Sequence, residues 1–252
     1  MVGHRFSAPE ITWRKTVRRP SVGEFIEGVA GRFVTDLLRR GKYLIAPLDD
    51  DQFLVLHLGM TGSLRIHDAR RDPPPMVRHI FPLDDGREMR FIDPRKFGHL
   101  WLLPDPADAM RKMGAEPLEP DFTVAVLAAA LTSRRSPIKA VLLDQSVIAG
   151  LGNLYADEAL FLSGIHPERS ANGLTDQELP SLHDAIVRAL STSVAAYAAA
   201  RDAEWPDPPV ALSPWSVPRS AAELCPKCQG SVQMIRVRGR SSWYCPTCQP
   251  AG

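Results

Sequence analysis

All four cysteines fall in one short stretch: Cys225-x2-Cys228, sixteen residues, then Cys245-x2-Cys248. A Cys-x2-Cys turn offers two thiolates to one point. Two such turns at the ends of a hairpin make the four-sulfur tetrahedral cage that zinc takes. Val232, Ile235 and Val237 supply the apolar residues of that hairpin. Four protein ligands leave no open coordination position, so the metal expected here is one structural Zn2+ with no catalytic part. Disulfides compete poorly: the basic, polar stretch Met1–Pro20 does not read as a secretory signal, and the expectation is a cytoplasmic chain with reduced thiols. The same hairpin carries Arg236, Arg238 and Arg240, a basic strand suited to phosphate or simply to solvent.

A second stretch with chemical potential is Ile148-Ala149-Gly150-Leu151-Gly152-Asn153-Leu154-Tyr155-Ala156-Asp157-Glu158. Its two glycines end one helix and lead tightly into the next. Gly152 and Asn153 would then sit at a helix start, where free backbone N–H groups attract anions such as phosphate. An ordinary turn with Asn153 as a plain N-cap explains the same letters. The formal net charge of +1 says nothing about nucleic acid. Local basic runs do, among them Arg14-Lys15, Arg18-Arg19, Arg39-Arg40 and Arg134-Arg135, although solvated surface charge is their simpler meaning.

These groups need elements to hold them. The 44% hydrophobic and 23% charged content is that of an ordinary globular chain, and no run approaches the roughly 20 apolar residues of a membrane span. Residues 20–103 read as β-rich, with polar turns at Asp49-Asp50-Asp51 and Asp84-Asp85-Gly86 between apolar runs of strand length. Short strands joined by short turns suggest a sandwich or barrel. Residues 121–200 read as helical. Asp121 caps a first helix carrying Val124, Leu127 and Leu131. Thr175 and Glu178 form a capping box with a Leu174–Leu179 staple, and Leu182, Ile186, Leu190, Val194 and Tyr197 make one stripe, with Pro180 awkward in the first turn. Residues 201–221 are proline-rich and aperiodic, and read as a linker.

Taken together, Gly41-Lys42-Tyr43-Leu44, His57-Leu58-Gly59-Met60-Thr61-Gly62, Asp93-Pro94-Arg95-Lys96-Phe97-Gly98, the Gly150–Phe161 stretch and the four-cysteine finger resemble, in this order, the formamidopyrimidine-DNA glycosylases and the related endonuclease VIII group. The resemblance implies an α+β multidomain architecture: a β-sandwich over residues 1–104, a helix–two-turn–helix domain over 120–200, the linker, and a zinc-finger hairpin over 222–250. It implies base-excision repair of oxidised bases by a bifunctional DNA glycosylase and AP lyase. Its partner would be double-stranded DNA with damaged or abasic nucleotides, and the protein a monomer, nucleoid-associated when bound. Such an enzyme flips the damaged base from the duplex, and an amine attacks the sugar to form a Schiff base. Residue by residue, Lys42 matches a catalytic lysine near the damaged nucleotide. Met60, Arg95 and Phe97 match the trio that fills the gap left by the flipped nucleotide. Arg134 and Asn153 match phosphate contacts, and Arg240 matches the catalytic and DNA-gripping arginine of the finger.

The chain also departs from that pattern. Family members open with a proline, whose amine is the nucleophile, followed by glutamate. This chain opens Met1-Val2-Gly3-His4-Arg5-Phe6 and matches only beyond the family's first helix, so the expectation is that this catalytic segment is absent and that no residue present is the nucleophile. A misassigned start and a shortened, catalytically inactive damaged-DNA-binding protein are the two explanations. A zinc-dependent nucleic-acid-binding regulator is a third reading, disfavoured because a regulator needs no gap filler. Val77 stands where a DNA-contacting histidine is common, with His79 nearby, and Val217-Pro218-Arg219 replaces a tyrosine-glycine-arginine pattern. A glycine- and threonine-rich stretch tied to oxidised-purine recognition is not evident, Ala203 to Pro214 being proline-rich instead. These differences leave the preferred lesion open.

Overall fold

The computed structural model describes residues 1–110, 112–199, 216–221 and 223–251. The chain forms two compact units, Met1–Arg111 and Lys112–Gly252. Most of the segment read as a linker, residues 201–215, lies outside the described residues.

The first unit is the expected β-sandwich. One sheet holds, in spatial order, β1 (Glu10–Ile11), β7 (Val77–Pro82), β8 (Arg87–Ile92) and β6 (Ser63–Asp68). The other holds β2 (Val17–Arg19), β9 (His99–Leu103), β5 (Phe53–His57), β4 (Tyr43–Pro47) and β3 (Leu38–Arg40). All neighbours are antiparallel except β2 with β9. Alternate residues of the two sheets face each other: Ala46, Leu54, Leu56, Leu100 and Leu102 from one, Phe81, Met89 and Phe91 from the other, with Phe6 added. The helix α1 (Val22–Val29) closes the core with Phe25 and Val29, and starts at a capping box in which the Ser21 N–H donates to Glu24 Oε2 at 3.0 Å. The acidic turns are where the residues indicated. Asp84–Gly86 joins β7 to β8, with Gly86 at φ 82°, and Asp49–Asp51 joins β4 to β5. The outer face of β8 carries Arg90, fully buried, which pairs with Glu88 and donates to the carbonyls of Arg71 and, at 3.1 Å, Asp72. A buried guanidinium thus pins the loop before β7 to the sheet.

His79 is an exception to that economy. It is fully buried beside Phe91, and neither ring nitrogen has a hydrogen-bond partner among the described residues. Burial, aided by the Arg78 charge, pushes its pKa down to about 4. Between that value and the ordinary 6.5 the unfolded chain binds a proton at this residue and the folded chain does not. Stability is therefore full above about pH 6.5 and falls as pH drops toward 4, by about 3 kcal/mol in total. His79→Leu, which loses no hydrogen bond, is expected to leave the urea midpoint near its parent value at pH 7.5 and to raise it at pH 4.5. Parallel pH profiles for parent and variant would show that His79 is not the titrating group.

The second unit is built on α2 (Val124–Leu131), α3 (Ile138–Leu142), α4 (Asn153–Ser163) and the long α5 (Glu178–Ala199), followed by the hairpin β10 (Gln233–Val237) and β11 (Arg240–Tyr244). Its core is Leu127, Leu131, Ile138, Leu142, Ile148, Leu151, Leu160, Leu182 and Ile186. The Thr175–Glu178 box forms as expected, with the Thr175 N–H donating to Glu178 Oε2 at 2.8 Å. Pro180 is accommodated in the first turn of α5, where N–H groups have no helical acceptor to lose.

Three local expectations are corrected. The cap of α2 is Thr123, whose hydroxyl accepts from the Val126 N–H at 3.3 Å, and not Asp121. The stripe of α5 does not continue through Val194, which is 57% exposed; Ala185, Ala189 and Ser193 are the buried continuation, with Ser193 bonded to the Tyr155 hydroxyl at 2.8 Å. And α3 ends at Leu142, so Gly150 closes a loop rather than a helix. No helix of the described residues is long and apolar enough to cross a membrane.

Candidate nucleic-acid interface

In the first unit, the turn between β5 and β6 carries Met60 and the turn between β8 and β9 carries Arg95 and Phe97. The two turns touch. Gly59 sits at φ 68°, and a Cβ there would lie 2.6 Å from the backbone carbon and oxygen of Phe97. Only glycine permits that approach and that conformation. One carboxylate holds both turns. Asp93, 1% exposed, accepts from the Thr61 hydroxyl at 3.0 Å and from the Gly98 N–H at 2.7 Å. Arg78 adds a bond from Nε to the Asp93 carbonyl at 2.9 Å. From this braced base project Met60, 59% exposed, and Phe97, 44% exposed, with the Arg95 guanidinium 4.7 Å from the centre of the Phe97 ring. Two large apolar side chains are thus held out into solvent over a buried hydrogen-bond network.

Lys42 lies in the turn between β3 and β4 and is exposed. Its charge reaches His57, whose pKa is held below the usual histidine range by burial first, then by His99 and Lys42. His57 Nδ1 in turn accepts the Gly59 N–H at 3.1 Å, so the lysine's neighbourhood and the Met60 turn share a residue. Tyr43, His57 and His99 form one row across β4, β5 and β9, with ring centroids 4.9 Å and 6.2 Å apart.

In the second unit, α4 begins at Gly152, its N-cap, which offers no side-chain cap; Asn153 is the first helical residue rather than the cap. The first turn thus takes no acceptor from its N-cap side chain, and a helix start of this kind suits an anion such as phosphate. The Asn153 amide donates to the Ser241 carbonyl at 3.2 Å, and its Oδ1 is buried without a partner among the described residues. Ser241 follows Arg240, the first residue of β11. Arg238 and Gly239, at φ 47° and 79°, make the two-residue hairpin turn before it, so Arg238 belongs to the turn and not to a strand. Arg134 stands in the turn after α2, its Nε donating to the Ala130 carbonyl at 3.0 Å and its NH1 3.7 Å from Asp144. Asn153 and Arg240 are therefore brought together, while the recorded bonds of Arg134 run to neither.

The cysteines converge. Cys225 and Cys248 have their sulfurs 3.8 Å apart, and Cys228 and Cys245 theirs 3.5 Å apart, all without disulfides. A tetrahedron with Zn–S bonds of about 2.3 Å has edges of about 3.8 Å, so the four thiols fit the ion. The finger is seated on α4 through Phe161, Val217 and Val232, and Lys227 Nζ donates to the Phe161 carbonyl at 2.8 Å.

One cluster escaped the sequence reading. Lys139 and Asp157, 0% and 1% exposed, form an ion pair at 2.6 Å inside the second unit. Arg219 NH1 donates to the same carboxylate at 3.1 Å, and Glu158 accepts the Ser216 N–H at 2.8 Å and the Val217 N–H at 3.2 Å. Residues 216–219 are thus anchored on α4. The available signal was a lysine amid the apolar run Ile138-Lys139-Ala140-Val141-Leu142 and two acidic residues within an otherwise apolar helix.

Three family models match in chain order: the formamidopyrimidine-DNA glycosylase N-terminal domain over residues 1–100, the formamidopyrimidine-DNA glycosylase H2TH domain over 113–202, and a zinc finger found in FPG and IleRS over 222–251. The formamidopyrimidine-DNA glycosylase of Thermosynechococcus vestitus is 42% identical over 245 residues, spanning 90% of this chain and 83% of that protein. That of Symbiobacterium thermophilum is 38% identical over 258 residues, spanning 99% and 84%. The Lactococcus lactis Fpg in complex with an abasic site containing DNA superposes with a TM-score of 0.90 at 28% identity, covering 100% of this chain and 94% of that one. The same organism's enzyme with a FAPY-dG containing DNA gives 0.87 at 29% identity, covering 99% and 94%. With the sulfur geometry, the finger match makes the metal one structural Zn2+.

Proposed function

The chain belongs to the formamidopyrimidine-DNA glycosylase family, and from that premise we propose that it is a base-excision repair glycosylase that turns a damaged nucleotide out of duplex DNA and fills the gap with Met60, Arg95 and Phe97. The observation that carries this reading is the bracing of two turns by Asp93 and Gly59, which presents an apolar wedge, a planar cation and an aromatic ring from one rigid base. Those three chemistries are what a vacated stack requires: a side chain to part the bases, a ring to replace stacking, and a guanidinium to hydrogen-bond the orphaned partner.

Lys42 of the first unit and Arg134, Asn153 and Arg240 of the second are the proposed phosphate contacts. The solved relatives bound to abasic-site and FAPY-dG DNA support the choice of substrate. The finer reading adds abasic-site β-elimination through a Schiff base. The resemblance gives that chemistry to an N-terminal proline amine. The zinc takes no part in the reaction; it folds the hairpin that carries Arg240.

The test compares duplexes that differ at one site. Affinity for DNA with a central abasic nucleotide is expected to exceed that for intact duplex by about tenfold or more at fixed salt, since phosphate contacts alone make affinity steeply salt-dependent. Equal affinity would remove the lesion-recognition reading and leave a general DNA binder.

A further inference from the structure

We propose that Lys139 and Asp157 are positioning residues for Arg240: they lock the carbonyl that follows Arg240 in the finger and so aim its guanidinium. The inference rests on the reading of Arg240 as a DNA contact. A buried ion pair is a poor device for stability, because apolar residues of similar volume serve as well or better. What this pair does instead is grip backbone. Lys139 Nζ donates to the Ser241 carbonyl, and Asp157 Oδ2 accepts the Trp243 N–H at 3.4 Å. In the β10–β11 register Ser241 faces Arg236 and Trp243 faces Met234, while the tight turn makes Val237 and Arg240 the hydrogen-bonded pair. The polar groups of Ser241 and Trp243 therefore point away from β10, along the open edge of the hairpin. Lys139 and Asp157 occupy that edge as a third strand would.

Arg240 is held between two fixed points, the Arg238-Gly239 turn on one side and the clamped Ser241 carbonyl on the other. A lone two-stranded hairpin is too weak to hold a side chain so closely. The shared acceptor links Arg240 to Asn153, whose amide takes the second lone pair of the Ser241 oxygen. When that amide turns to a phosphate, Lys139 still satisfies the carbonyl and the strand does not shift. Charge acts in the same sense. Burial and the nearby Arg219 and Arg240 cations lower the pKa of Lys139 against the pull of Asp157. Arg240 itself is exposed.

The experiment is a double-mutant cycle on the full zinc-loaded chain, with binding to abasic-site duplex at fixed salt as the readout. Lys139→Met is the informative change, because Asp157 keeps Arg219 as its partner. Arg240→Ala and Lys139→Met are each expected to weaken binding about tenfold, and the double variant to bind within about twofold of Arg240→Ala alone. An additive loss of about a hundredfold would overturn the proposal, since Lys139 would then act independently of Arg240. If Lys139→Met loses zinc, Lys139→Gln, which keeps a donor, takes its place. Loss of zinc and fold in both would also overturn it, making Lys139 a folding residue. The unmodified chain's preference for abasic over intact duplex is read in the same titrations. Failure of the functional reading therefore shows there, and the cycle can still be closed on intact duplex.

Discussion

Removing the zinc is expected to cost the protein on the order of a hundredfold in affinity for abasic-site DNA while leaving its helices folded. Burying the sulfurs and a few small apolar residues cannot hold a two-stranded hairpin, and structural zinc contributes about 10–16 kcal/mol to modules of this kind. The finger's own cluster is small, with Phe161, Val217 and Val232 around Cys225 and Cys245. The main core of the unit, from Phe122 to Ile186, contains no finger residue. Chelation should therefore melt β10 and β11, free Arg240, and leave α2 to α5 with their far-ultraviolet signal. Cys228→Ala should act alike, since that thiol is exposed and removes a ligand without opening a core. Zinc release followed with a chromophoric chelator, alongside DNA binding at constant salt, decides the matter. Zinc-free protein that still binds within about twofold would mean the finger is no part of the interface.

The finger is also where the residues spoke most plainly. Cys-x2-Cys twice, at hairpin spacing, permits few structures, because ligand geometry imposes its own distances whatever surrounds it. Asp84-Asp85-Gly86 and the Thr175–Glu178 box were legible for a related reason: their partners lie within a few residues, so local sequence contains the whole interaction. The reading of Asp121 as the cap, where Thr123 serves, failed at the limit of that logic. Both side chains can accept, and only the direction of the incoming chain selects one.

Long-range pairing was not legible. Lys139 meets Ser241, and Asp157 meets Arg219 and Trp243, across separations that no local pattern encodes. Val194 misled because a stripe read at a regular helical repeat assumes an apolar neighbour throughout. The surface α4 offers to α5 includes the Tyr155 hydroxyl, which takes Ser193 instead. Met60 and Phe97 would have been read as core from their type alone. What marked them was motif order, and what braces their turns is Asp93, whose two oxygens accept from residues 32 and 5 positions away from it in the chain.

Asp93→Ala should erase most of the discrimination between abasic and intact duplex without abolishing DNA binding. The substitution leaves the Thr61 hydroxyl and the Gly98 N–H without their acceptor. Each loss costs about 1–3 kcal/mol where water cannot enter, out of a total stability of about 5–15. The sandwich should stay folded, since its core residues lie between the sheets and do not include these groups. The turns, however, lose the common anchor that sets Met60 against Phe97, and an aromatic ring off by an ångström no longer fills a base-sized gap. Asp93→Asn should be milder. Its Oδ1 can still accept from Gly98 while the Thr61 hydroxyl rotates to accept from the new amide, so one bond is kept and the other reversed. The measurement is the ratio of dissociation constants for intact and abasic duplex, at one salt concentration, for the parent and both variants. Phosphate contacts supply most of the affinity for intact DNA, and the residues proposed for them are Lys42 and residues of the second unit, so that affinity should hardly move. A fall in affinity for both duplexes by the same factor would mean that Asp93 supports the fold of the unit as a whole. A graded loss confined to the abasic duplex, larger for Ala than for Asn, would place gap filling on the braced turns themselves.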